Sequence, residues 1–146
     1  MLTVQQGRIL IDTPPELRLA LLREKVPFVH AILLTRDGLL RAHTGGLSRE
    51  EAERQAAALC GVVSISRNTA GFCGRRDGGE PEWRQTLIEF DEAFILLIAA
   101  AEGSYLAVSA TDRVDLEACG FRMQQLVERL GTAMGSPVRH GAGNPA

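Results

Sequence analysis

Apolar positions recur along this chain in two rhythms, and together they outline a single run of helices and strands. After twelve weakly patterned residues, in which residues 8–11 read as a short strand or an ordered arm, Thr13-Pro14-Pro15-Glu16 reads as a helix start. A capping residue is followed there by prolines that fit the first turn. The helix runs to about Lys25, and Val26-Pro27 stops it, because a residue before proline is pushed away from helical dihedrals. Leu17, Ala20 and Leu21 form one apolar stripe and Leu19, Leu22 and Val26 another, which predicts a helix wedged between two elements. Residues 28–35 are apolar on both faces, with Val29, Ala31 and Leu33 on one and Phe28, Ile32 and Leu34 on the other. That is the pattern of a central strand covered on both sides. Arg36-Asp37-Gly38 signals a tight turn. Residues 39–44 then return as a strand near a sheet edge, mixing Leu40 and Ala42 with Arg41 and His43.

The next stretch, residues 48–68, is the least ordinary. Ser48 followed by Glu51 makes a capping box, in which the hydroxyl caps an orphan N–H and the carboxylate reaches back. At about 100° per residue, Ala52, Ala56, Leu59, Cys60, Val62 and Val63 gather on one bulky, core-like side. The other side carries Ala57, Ala58, Gly61 and Ile65, interrupted mainly by Arg54, and is small rather than polar. A helix on a monomer surface normally turns a charged face to water. Gly61 also costs about 1 kcal/mol of helix propensity against Ala, which points to a close backbone approach. Two readings stand: the small side is buried within the chain, or it meets a partner.

A polar, Gly-rich loop spans residues 74–82. Residues 84–91 alternate Thr86, Ile88 and Phe90 against Gln85, Leu87 and Glu89, the pattern of a half-exposed edge strand. Turns at Asp91-Glu92 and Glu102-Gly103-Ser104 fold residues 84–110 into a three-strand meander. From Asp115 a last helix sets Leu116, Cys119, Met123, Leu126, Val127, Leu130 and Met134 in a stripe about 120° wide. Gly120 within that stripe suits close packing on a sheet. Glu117, Arg122, Gln124, Gln125, Glu128 and Arg129 make its solvated side, and Phe121 stands off the stripe, against the first helix or a partner. Gly135-Ser136-Pro137 stops the helix. The fold class predicted is α+β: a three-layer α/β/α sandwich on a five-stranded, mostly antiparallel sheet, in the order α-β-β-α-β-β-β-α. Residues 1–12 form an N-terminal arm, 13–135 the domain, and 136–146 a disordered tail.

Composition narrows the function classes. At 146 residues the chain is one domain with ample core, and a net charge of -2 offers no strong field to nucleic acid or an anionic membrane. No apolar run approaches the ~20 residues that span a bilayer, and no signal peptide is evident, so a cytoplasmic protein with reduced thiols is expected. Cys60, Cys73 and Cys119 include no C-x-x-C pair. Cys60 and Cys119 read as small hydrophobes on helix faces, and only Arg75 and Arg76 stand near Cys73 to activate it. His30, His43 and His140 lack zinc spacing; His30, on a buried strand, reads as a hydrogen-bonded structural residue. Nucleotide-cradling glycine motifs are missing. The loop with Arg75 and Arg76 is a solvated connection or an anion contact. No catalytic residue, metal or cofactor is assigned.

Several of these features together resemble the roadblock / dynein light chain family. Val26-Pro27-Phe28-Val29, Ala31, the Asp37-Gly38-Leu39 turn and the Ala-rich helix after Gly46-Leu47 carry the resemblance, joined by the Thr86-Leu87-Ile88-Glu89 strand, the hairpin through Gly103 and the last helix with Gly120 and Met123. It covers about residues 15–135. Phe28 departs from it, standing where many members have Gly. The similarity is greatest to bacterial members found with small Ras-like GTPases, including those of conservon operons beside a sensor-kinase-like protein. The resemblance implies a profilin-like roadblock fold, no enzymatic activity, and a homodimer built through the middle helix and the edge strand after it. On this reading Arg54, Ala57, Ala58, Gly61, Ile65, Arg84, Thr86 and Ile88 form the dimer interface, and Arg75, Arg76 and Phe121 are possible partner contacts. The implied function is a regulatory scaffold that binds a small Ras-like GTPase and modulates its nucleotide cycle or localisation. The alternatives are an adaptor for a sensor-kinase-like partner without effect on GTP hydrolysis, and a small ligand-binding or cysteine-dependent enzyme domain with a pocket under the 74–82 loop.

Overall fold

A computed structural model describes residues 15–75 and 77–133. The arm, the Thr13 cap, Arg76, Met134, the Gly135-Ser136-Pro137 stop, His140 and the tail lie outside the described residues. The chain runs α1 (Pro15–Lys25), β1 (His30–Thr35), β2 (Leu40–His43), α2 (Arg49–Asn68), a 3-10 turn (Ala70–Cys73), β3 (Gln85–Phe90), β4 (Ala93–Ala99), β5 (Ser104–Thr111) and α3 (Leu116–Ala133). This is the expected order of elements. The five strands form one sheet in the order β2-β1-β5-β4-β3, and each neighbouring pair is antiparallel. The hairpin β1–β2 and the meander β3–β4–β5 are joined where β1 lies beside β5. That join leaves β2 and β3 as the two edges.

Side-chain alternation then decides which helix covers which face. Ala31 and Leu33 of β1, Leu96 and Ile98 of β4, and Leu106 and Val108 of β5 form one buried layer with Leu19, Leu22, Cys119, Met123 and Leu130 from α1 and α3. Ile32 and Leu34, Leu97, and Tyr105 and Ala107 point the other way and pack with Ala52, Ala56, Leu59 and Val63 of α2. The result is the α/β/α sandwich. Each fully buried Leu or Ile contributes roughly 1.5–3 kcal/mol.

Local details depart from the sequence reading in places. Phe28 packs with the α1/α3 layer instead of sharing a face with Ile32 and Leu34, and Val29 is 43% exposed. The first ladder residue is His30, so strand alternation does not govern Phe28; its ring lies under the Arg23 guanidinium, 4.9 Å from the centroid. On α1, Leu19, Leu22 and Val26 are buried, whereas Ala20 of the other expected stripe is exposed and Arg18 is only 2% exposed. On α3 the Asp115 carboxylate caps the helix by accepting from the Ala118 N–H at 3.1 Å. A Cβ on Gly120 would make an ordinary contact with Leu96 Cδ2 at 3.5 Å, so the packing of α3 on the sheet does not by itself require a glycine there. Leu116, at the helix start, is 38% exposed rather than part of the core.

Gly38 closes the β1–β2 turn at φ +86, a conformation that L-residues rarely adopt, and a Cβ there would stand 3.4 Å from Cys60 Cβ on α2. Gly38→Ala is therefore expected to destabilise the domain by about 1–2 kcal/mol, measured by urea denaturation with an unchanged m-value.

Candidate protein-interaction site

The centre of interest is α2 and what it leaves uncovered. Ser48 caps the helix, its hydroxyl accepting from the Glu51 N–H at 3.0 Å. The reciprocal half of the expected capping box is not made. Glu51 instead accepts from the Arg54 guanidinium and, at 2.8 Å, from the Gln55 amide. Those partners, Arg54 first, hold its carboxyl below the usual range. They are one turn ahead on the helix, within reach of a side chain that leans away from the Ser48 amide.

The C-terminal end of α2 is tied to the sheet by a chain of side-chain hydrogen bonds. The Trp83 indole donates to Thr86 Oγ1 at 2.8 Å, and the Thr86 hydroxyl donates to Ser66 Oγ at 2.9 Å. Beside them Arg67 donates to the Tyr105 hydroxyl at 3.2 Å, and Trp83 meets Tyr105 edge-to-face with centroids 5.6 Å apart. The helix thus crosses its sheet face from β2, where its first turns begin, to the start of β3.

This placement sorts the residues singled out from sequence. Ala58, Gly61 and Ile65 are exposed, Ile65 at 67%. The small side of α2 is therefore not covered by the described residues. Among the described residues nothing lies within 4 Å of a Cβ placed on Gly61, so none of them requires that glycine. Arg54 is exposed on the same side. Ala57 is exposed too, but it flanks the β1–β2 turn, its Cα 3.8 Å from a Cβ placed on Gly38. It lies about 100° around the helix from Ala58, so the structure does not bring it together with β3. Cys60, expected in the core stripe, is half-buried and its thiol donates to the Arg36 carbonyl at 3.2 Å.

Thr86 and Ile88, both half-buried, bring β3 into the same neighbourhood through Ser66, while Arg84 is exposed at the strand's entry. As expected, β3 is an edge, and among the described residues no strand lies beside its outer backbone groups. Two residues outside the interface expected from sequence add exposed apolar area: Phe72, in the 3-10 turn after α2 and passed over by sequence reasoning, is 96% exposed, and Phe90, read on the same strand face as Thr86 and Ile88, is 59% exposed. A phenylalanine that follows a helix end before a Gly-rich loop is the signal that could have found the first. Arg75 is exposed in the loop, apart from this surface. Phe121 is 60% exposed with the Arg122 guanidinium 5.7 Å from its ring centroid, so the expected cover from α1 is not in place.

The chemistry of the remaining candidates is modest. No group of three or more His, Cys, Asp or Glu is placed to hold a metal among the described residues. Cys119 is buried, and desolvation pushes its thiol up to about 11. His30 differs from the expected hydrogen-bonded residue: its ring Nδ1 is buried without a partner, although its backbone N–H bonds the Ser109 hydroxyl. It borders a cavity of about 300 Å³ between α2 and the sheet, with Gln55, Leu59 and Ile95. A recess of about 420 Å³ does lie beside the 74–82 loop, lined by Arg36, Arg67, Glu80 and Trp83 among others. No helix among the described residues is long and apolar enough to cross a membrane.

The Roadblock/LC7 domain profile matches residues 18–110 of the chain. The chain belongs to the Roadblock/LC7 family. Among solved structures, this Roadblock domain is similar to a Roadblock/LC7 domain from Streptomyces avermitilis, at 29% identity and a TM-score of 0.73, covering 84% of this chain and 98% of that one. Myxococcus xanthus MglB is similar in fold, at 16% identity and a TM-score of 0.72, with 83% and 94% covered. Schizosaccharomyces pombe profilin shares the fold more distantly, at 15% identity and a TM-score of 0.51, with 74% and 87% covered. The profilin-like roadblock architecture expected from the sequence is thereby borne out. No curated protein sequence matches the chain.

The three cysteines offer a direct check on the packing. Cys73 is exposed, Cys60 half-buried and Cys119 buried. A thiol reagent at pH 8 should modify Cys73 rapidly and Cys119 only on unfolding, read by mass spectrometry of the Cys73→Ala and Cys119→Ala variants.

Proposed function

We propose that this Roadblock domain is a homodimeric regulatory scaffold for a small Ras-like GTPase. The carrying observation is the pairing of two unpartnered features side by side: the exposed Ala58, Gly61 and Ile65 side of α2 and the open edge of β3. An open strand edge is a template for another strand, and a second copy supplies an identical one. In a twofold dimer the two β3 strands run antiparallel. The start of one β3 then lies opposite the end of the other. Because α2 ends at the start of β3, its terminal turns and Phe72 come over the partner's Ile88 and Phe90. The exposed aromatic residues would be desolvated in that arrangement, and Gly61 would admit a close helix approach. Arg54, Ala58, Gly61, Ile65, Arg84, Thr86 and Ile88 form the proposed interface. Ala57, on the far flank, is at its margin.

Binding of a GTPase follows from the family resemblance rather than from any catalytic feature of the chain. Among the described residues no group of three or more His, Cys, Asp or Glu is placed to hold a metal. Exposed Arg75 and Phe121 are candidate contacts for that partner, as is Arg76. A sensor-kinase-like partner would use the same dimer.

Light scattering on the full chain should show a dimer at micromolar concentration, and Ile65→Asp should give a folded monomer. Burial of one Ile contributes roughly 1.5–3 kcal/mol and the twofold counts it twice, so dimer affinity should fall by roughly 100-fold or more. A monomeric wild type, or an Ile65→Asp variant that dimerises normally, refutes the proposed face. For the GTPase, the dimer should bind one nucleotide state of a Ras-like GTPase at least about tenfold tighter than the other, about 1.4 kcal/mol of coupling. Equal binding to both states would favour the adaptor without effect on hydrolysis.

A further inference from the structure

The cavity between α2 and the sheet lies on the face that carries the proposed interface. Leu47, just before α2, with Gln55 and Leu59 on it, forms one wall, and Ile95 of β4 and Ala107 of β5 form the floor. The spacing of four residues from Leu47 to Leu59 makes that wall a single stripe. The volume is about 300 Å³. A cavity of about 150 Å³ already takes a benzene ring, so this one has room for an aromatic side chain and its stem. Several polar groups on its wall are engaged within the chain. The Gln55 amide donates to Glu51 at 2.8 Å, and the Ser109 hydroxyl accepts from the His30 N–H at 3.2 Å. The remaining surface is mainly hydrocarbon, which suits an apolar occupant.

Phe72 is an aromatic side chain with almost no cover, 96% exposed in the turn that follows α2. It does not reach the cavity of its own chain, because α2 rises about 20 Å from Gln55 to its end at Asn68. A second copy removes that separation. The twofold that sets the two β3 strands antiparallel does the same to the two α2 helices. If they cross at Gly61, a residue beyond Gly61 on one helix lies opposite the residue equally far before it on the other. Phe72, eleven places after Gly61, then falls beside Glu50 of the second copy, eleven places before it. Glu50 lies between Leu47 and Gln55, the α2-side wall of the cavity. Strand pairing gives the same location by a separate route. Antiparallel β3 edges bring Phe72 over Ile88 of the second copy, and Ile88 pairs in register with Ile95, on the cavity floor. Charge favours this arrangement as well: the acidic first turn of one α2, with Glu50 and Glu51, faces the basic last turn of the other, with Arg67.

From these two routes we infer that the α2–sheet cavity is the socket for Phe72 of a second copy, so that each protomer inserts one aromatic ring into the other. This assignment rests on the proposed dimer and adds to it the side chain that anchors it and the place that side chain enters. An exposed aromatic residue that fills a desolvated pocket is the kind of group that dominates interface energy.

The test uses the full chain. In dimers mixed from methyl-labelled and unlabelled copies, isotope-filtered spectra should show contacts from aromatic ring protons to the Leu59 and Ile95 methyls, and Phe72→Ala should abolish them. The same variant should weaken dimerisation by about 100-fold, since the twofold removes two rings. Because Phe72 is exposed in the free chain, the variant is expected to fold, checked by circular dichroism. Gln55→Trp, which fills the cavity from its own helix, should weaken dimerisation by about tenfold in the wild type and have no further effect in Phe72→Ala. Additive losses would overturn the socket. A dimer that Ile65→Asp dissociates but Phe72→Ala leaves intact overturns the socket and keeps the dimer, whereas a monomeric wild type overturns both. Methyl contacts confined to a single chain would assign the cavity to a segment of that chain, and a small apolar molecule released from it in native mass spectrometry would assign it to a ligand; either result overturns the socket.

Discussion

The architecture turns on how α2 is held against its sheet. Its inner face, Ala52, Ala56, Leu59 and Val63, sits on Ile32, Leu34, Leu97 and Ala107, and its last turn is tied to β3 through Ser66, Thr86 and Trp83. The first contact is non-directional and would allow the helix to slide or rotate. The hydrogen bonds are directional and fix where it ends. Without them the helix would still be buried on one side, but its outer surface would have no set relation to the β3 edge. With them, an exposed apolar helix side and an open strand edge become one surface.

That surface combines two interactions that are weak alone. Backbone groups at a strand edge are satisfied by water in the free chain, so pairing them contributes only the modest net energy of exchanged hydrogen bonds. Exposed Ile65, Phe72 and Phe90 offer apolar burial but little register. In the proposed dimer the edge would supply alignment and the side chains free energy. The acidic residues of α2 lie in its first turns, where Glu51 is occupied with Arg54 and Gln55.

The other side of the sheet is built differently. There α1 and α3 bury a larger apolar layer around Leu33, Leu106, Met123 and Leu130, and the helices diverge over a cleft lined by basic residues. The core tolerates this because Leu22 and Leu126 seal the floor, and because the charges concentrate at one place rather than scatter through the layer.

Much of this was present in the one-dimensional pattern. Alternation and helical spacing alone determine the elements, their order, the two-sided sheet, the edge character of β3 and the small outer side of α2. The roadblock fold is legible because each element's local preference agrees with its final place. Periodicity assigns a residue its angle around a helix, however, and not the neighbour it meets there. Hence Ala57 and Ala58, adjacent in sequence, fall to the β1–β2 turn and to the open side respectively, a division set only when Gly38 approaches Cys60. Phe72 carries no periodic signal, and its exposure follows from the turn that ends α2. The burial of Arg18 and the partnerless Nδ1 of His30 run against residue-type expectation. The reason is physical: an arginine's apolar stem packs like a hydrophobe while its charged head goes where the facing helix leaves space, and only the docking of α1 on α3 decides where that is.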